Sequence, residues 1–133
     1  MSEHRVVQPE NWPRPIGYSN GVVASGTFVA VSGQVGWNPE TRKFASTDFV
    51  EQLRTALENV VVVLKSAGAE PSHVIRMTWF ITDRDAYVSN VKRIGEVYRE
   101  AFGRVYPAMS VVVVAALIEA AAMIEIEATA VLP

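Results

Sequence analysis

The sequence predicts an α+β fold: a single mixed or antiparallel sheet of five to six strands with two helices packed on one face, in the order ββ-α-β-α-ββ. Three observations carry this. Two segments repeat apolar residues every three or four positions, as an amphipathic helix does. Short runs rich in β-branched and aromatic residues surround them. Turn formers separate the runs, and no linker, repeat or low-complexity block breaks the 133 residues, so one domain spans 1–133.

Residues 4–8 predict a short edge strand. NGVVAS (20–25) and TFVAVS (27–32) read as a hairpin about Ser25-Gly26. After a turn-rich loop, Thr47 or Asp48 caps a helix, with Glu51 three residues beyond Asp48. Val50, Leu53, Leu57, Val60, Val61 and Leu64 make its stripe, and Gly68 followed by Pro71 ends it. HVIRMTWFIT (73–82) is a strand. Asp83 or Asp85 then caps a second helix with Tyr87, Val91, Ile94, Tyr98 and Phe102 on one side and Gly103 at its end. Strands over about 108–117 and 122–131 close the chain.

Composition excludes several function classes. Half the residues are apolar and the mean hydropathy is +0.18, yet no run reaches the roughly 20 apolar residues of a membrane helix. MSEHRVVQPENWPRP has no apolar centre and reads as no secretory signal. Cysteine is absent, which rules out disulfides and thiolate chemistry and fits a cytoplasmic protein. A net charge of −2 gives nucleic acid no purchase, and Lys92, Arg93 and Arg99 read as the solvated side of the second helix. His4 and His73 lack ligand-spaced companions, so no metal is expected, nor any cofactor: there is no Walker A loop, dinucleotide fingerprint or nucleophile elbow.

Two helices cover one sheet face and no more. AMSVVVVAAL is apolar on both parities, with Met109, Val111, Val113 and Ala115 on one side and Val112, Val114 and Ala116 on the other. An open strand of that kind aggregates unless something buries it. A homo-oligomer closing sheet against sheet is expected.

GYSNGV, VAVSGQVGWNPE, FVEQLRTALENVVVVLKSAGAEPSHVIRMTWFITD and YPAMS…IEIEATAV together resemble the Rid (RidA/YjgF, L-PSP) family from about Gly17 to Val131. The resemblance implies a chorismate-mutase-like fold, a homotrimer with three clefts between subunits, and hydrolysis of enamines or imines such as 2-aminoacrylate to a keto acid and ammonia. It assigns Glu125 to orienting the attacking water. It assigns Tyr18 to closing the cleft from a neighbouring subunit, and Ser32 and Gly33 to lining it. Val111 stands where many members have cysteine. Met109 stands where the family's reactive members keep a carboxylate-binding arginine, so the expected substrate differs from 2-aminoacrylate, or the clamp comes from elsewhere, with Arg14, Arg76 and Arg104 as candidates.

Each of these residues also has a plainer reading. Glu125 and Glu127 alternate onto one strand face and suit any wet or interfacial surface. Met109 suits an irregular core gap, and Trp79 a core or interface anchor that also walls the cleft. Glu119 is a turn charge or, if it reaches the cleft, a group favouring neutral or cationic ligands. A non-catalytic trimeric ligand-binding or interaction protein is the alternative to the enzyme. RNA cleavage follows only from an older family name and has no support in the charge.

Overall fold

The computed structural model describes residues 4–133; the first three residues of the N-terminal segment lie outside the described residues. The core is a four-stranded mixed sheet in the order β3-β6-β4-β5, with β3 Thr27–Val35, β4 Val74–Ile81, β5 Ala108–Val113 and β6 Ile124–Leu132. β6 runs antiparallel to β3 and β4, while β4 and β5 are parallel. α1 (Phe49–Ser66) and α3 (Val91–Phe102) pack together against this sheet, and α2 (Arg84–Val88) precedes α3. The α+β order follows the sequence reading. Among the described residues no helix is long and apolar enough to cross a membrane.

The strand count differs from expectation, for a local reason. β2 (Gly21–Val23) pairs with β1 (Arg5–Val7) as a separate two-stranded ribbon rather than forming a hairpin with β3. Gly26 has φ of 142°, and a Cβ there would lie 1.9 Å from the Leu132 carbonyl oxygen. The glycine lets the C-terminal backbone pass close by; it is not a tight hairpin turn. Among the described residues the sheet therefore has four strands, not five or six.

α1 begins where the sequence places it. Asp48 accepts from the Glu51 amide at 3.0 Å, and Gly68 (φ 76°) lies just past the end. Leu53, Leu57, Val60 and Leu64 are fully buried against Met77, Trp79, Ile124 and Ile126 of the sheet. The second predicted helix is split. Asp83 caps α2, then Ser89 Oγ donates to the Asp85 carbonyl (2.6 Å) and Asn90 Nδ2 to that of Ala86 (2.8 Å). Short polar side chains that bond back to the preceding turn compete with continued helix, and the chain restarts at Val91.

β5 stops at Val113 and β6 starts at Ile124, each shorter at the shared turn than expected. Across the sheet, Val111, Trp79 and Ile126 align on the helix-covered face. Val112, Phe80 and Glu125, with Thr78 and Glu127 one pair along, lie on the other. No element of the described chain packs as a helix on that second face, and Phe28 (67% exposed) and Val112 (40%) are left in the open.

Candidate functional site

A concavity of about 460 Å³ opens on the helix side between β5, α3 and the Gly17–Tyr18 loop. Parallel pairing of β4 and β5 sets its floor, because the same parity that buries Trp79 turns Met109 and Val111 toward α3. Trp79 is 1% exposed and presents only its ring; its Nε1 is buried without a hydrogen-bond partner among the described residues.

Tyrosines form the wall. Tyr98 stacks on Tyr106 (centroids 5.7 Å apart, planes at 19°) and lies tilted against Trp79 at 6.1 Å. Its hydroxyl donates to the Val105 carbonyl, so it is committed to the fold and not to a ligand. Burial, then the neighbouring Tyr106, pushes the Tyr98 phenol up, and burial alone pushes up that of Tyr87. Both stay neutral in neutral solution, and the wall carries no anionic charge.

Tyr18 reaches the pocket mouth through its neighbour. Ser19, 8% exposed, donates from its amide to the Pro107 carbonyl (3.0 Å) and from Oγ to that of Tyr106 (2.5 Å). These bonds staple the GYSN loop to the start of β5. Tyr18 thus shares a pocket with Met109 of its own protomer. Ser19 was not singled out from sequence; a serine beside a tyrosine carries no signal until β5 lies next to it.

Ser32, Gly33 and Glu125 form a second group elsewhere. A bulge between Val31 and Gln34 leaves Gly33 facing Glu125, and a Cβ on Gly33 would fall 1.8 Å from Oε2. The carboxylate lies across the glycine, where any side chain would displace it. Ser32 is exposed, its hydroxyl 3.4 Å from Gln34 Nε2. Glu125 is half-buried and Glu127 exposed.

Glu125 stands two strands from β5, about 10 Å away, and on the opposite face from Val111. Within one protomer the aromatic pocket and this polar patch do not converge. Glu119 belongs to neither; it is an exposed residue of the β5–β6 turn whose carbonyl accepts from the Ala122 amide. Arg14, Arg76 and Arg104 are exposed and none lines the pocket. The cation that does is Arg99, from the side of the second helix that the sequence assigns to solvent. Among the described residues no group of histidines or carboxylates is arranged to hold a metal. The arrangement offers an apolar, aromatic well with one guanidinium, and separately a hydroxyl and a carboxylate on an uncovered sheet.

Residues 10–132 match the family described as Endoribonuclease L-PSP. A RutC family protein of Pyrococcus horikoshii is 34% identical over 94% of this chain and 95% of its own length. A 2-iminobutanoate/2-iminopropanoate deaminase of Homo sapiens is 32% identical over 96% and 89%. Among solved structures, the Rid-family protein YyfB of Yersinia pestis superposes with a TM-score of 0.85 at 33% identity, over 97% of this chain and 98% of that one.

Proposed function

The chain belongs to the endoribonuclease L-PSP (Rid) family, and on that premise we propose that it hydrolyses the C=N bond of a small imine, in clefts where the pocket of one protomer meets the Ser32–Gly33–Glu125 patch of the next within a homotrimer. The observation that carries this is the split itself. The aromatic well and the carboxylate occupy opposite sheet faces, so only a second copy can bring them to one ligand. The uncovered face that bears Glu125 also bears Phe28 and Val112, apolar groups that a neighbouring copy would bury.

The chemistry is water addition followed by loss of ammonia. Glu125 accepts a proton from the water as its oxygen attacks the imine carbon. Glu125 returns that proton to the nitrogen, and the carbinolamine collapses to a carbonyl and NH3 as its hydroxyl proton passes to the departing nitrogen and the C–N bond breaks. Tyr18 and Ser32 orient the ligand from the two sides, and Trp79, Met109 and Val111 exclude bulk water below it. Met109 offers no charge, so the small 2-imino acids handled by relatives named for them fit poorly, and the substrate is one with a larger apolar body.

The test uses an amino-acid oxidase to generate imines in the presence of the purified protein, with decay followed directly. Decay of the imine from alanine is expected to change little, that from leucine or phenylalanine to accelerate at least tenfold, and Met109→Arg to shift the preference toward the small imine. Should no imine decay faster, the hydrolase gives way to a trimeric ligand binder, the reading that the loss of a charge at Met109 favours. Assembly is checked separately: light scattering at micromolar concentration should return three times the 14.6 kDa chain mass. A monomer there removes the cleft altogether.

A further inference from the structure

We infer that Arg99 is the anion-holding group of the pocket, and that the ligand is a carboxylate with an aryl or branched-alkyl body. Three observations lead there. Of the residues lining the pocket, Arg99 is the sole cation, and no carboxylate accompanies it. Its guanidinium makes no ion pair or side-chain hydrogen bond among the described residues, whereas Arg54 is held by Glu51 and Glu100, and Arg93 by Asp48 at 2.9 Å. A helical guanidinium with planar donors and no partner, at the edge of an apolar well, suits a carboxylate in two parallel hydrogen bonds.

The third observation is Gly95, in the interior of α3 one turn before Arg99. Glycine is the poorest helix former after proline, and nothing in this helix requires its freedom. A Cβ at Gly95 would lie 3.2 Å from Arg99 Nη1 and 3.9 Å from Cζ and Nη2. The arginine therefore folds back along the helix, as helical side chains do, and rests its guanidinium over the bare glycine, where both line the pocket. Tyr98, Tyr106 and Trp79 make the well apolar and flat-walled, so the rest of the ligand is a ring or a branched chain, not a short polar one.

Anion binding stands on these contacts alone; that the anion is the carboxylate of a 2-imino acid rests on the deaminase reading. The two are separated by titrating the full-length protein calorimetrically with 3-phenylpropanoate and with the uncharged 3-phenylpropanamide, while imine decay is followed in parallel. The carboxylate is expected to bind about tenfold tighter than the amide, a contact to a charged group discounted for its exposure. Arg99→Met should bring the ratio to about one, chiefly by weakening the carboxylate, and Arg99→Lys should retain part of the preference. Arg99 is exposed, and unchanged thermal unfolding of each variant separates lost binding from lost structure. Equal binding of acid and amide by the parent, no binding of either, or a preference that survives Arg99→Met overturns the inference. Preference without deamination of any imine sinks the deaminase reading and leaves this one standing. Deamination with a preference indifferent to Arg99 does the reverse.

Discussion

Gln52→Ala is expected to lower the unfolding free energy by about 3 kcal/mol, a large part of the stability of a domain this size. Gln52 is 2% exposed, in the second turn of α1. Its Nε2 donates to the carbonyls of Ser46 and Ala121 (both 3.0 Å), and its Oε1 accepts from the Met123 amide at 2.8 Å. One amide thus joins the helix start, the loop before it and the entry to β6. Truncation strips three backbone groups of their partner and leaves a void. The exposed Ala121 segment recovers water, while Ser46 and Met123 are half-buried and recover less.

Gly36 shows how tightly this corner is built, since a Cβ there would lie 2.4 Å from the Gln52 carbonyl oxygen. Urea unfolding of the variant measures the loss directly. A change under about 1 kcal/mol would mean that the three bonds are readily replaced by water. Met123 lies two residues before Glu125, so a looser corner also blurs the position of that carboxylate.

Glu125→Gln is expected to lower kcat for imine hydrolysis roughly a hundredfold with KM little changed, the scale of losing a positioned general base. Glutamine keeps the shape and the hydrogen-bonding reach but cannot accept the water's proton. Gly33→Ala probes the same group without touching it. The added methyl would sit 1.8 Å from Oε2, 2.6 Å from Cδ and 2.8 Å from Cγ of Glu125, so the carboxylate must swing away. A loss of roughly tenfold in kcat follows from misplacement of that size. Gly33 is not at positive φ, so alanine meets no left-handed backbone strain there, and unfolding should move little. Steady-state rates with the leucine-derived imine settle both, and a Glu125→Gln enzyme within twofold of the parent takes this residue out of the chemistry.

Elements whose signal is local are legible from the residues alone. The three- and four-residue spacing from Val50 to Leu64, with Asp48 before it and Gly68 after, specifies α1 with no partner needed. The alternation in IEIEATAV specifies β6 and puts Glu125 and Glu127 on one face. Where the local signal was ambiguous, tertiary contact decided. Gly26 reads as a turn glycine until Leu132 passes it, and Ser89-Asn90 reads as helix until its side chains bond backward.

The site lay further from reach. Periodicity says that Arg99 is on the polar side of α3, but not that this side borders a concave mouth, because concavity depends on where β5 and the Tyr18 loop come to rest. That Tyr18 faces Met109 while Glu125 faces away follows from strand order and pairing register, which join residues distant in sequence. Periodicity is a property of neighbours along the chain, and a site is a property of neighbours in space.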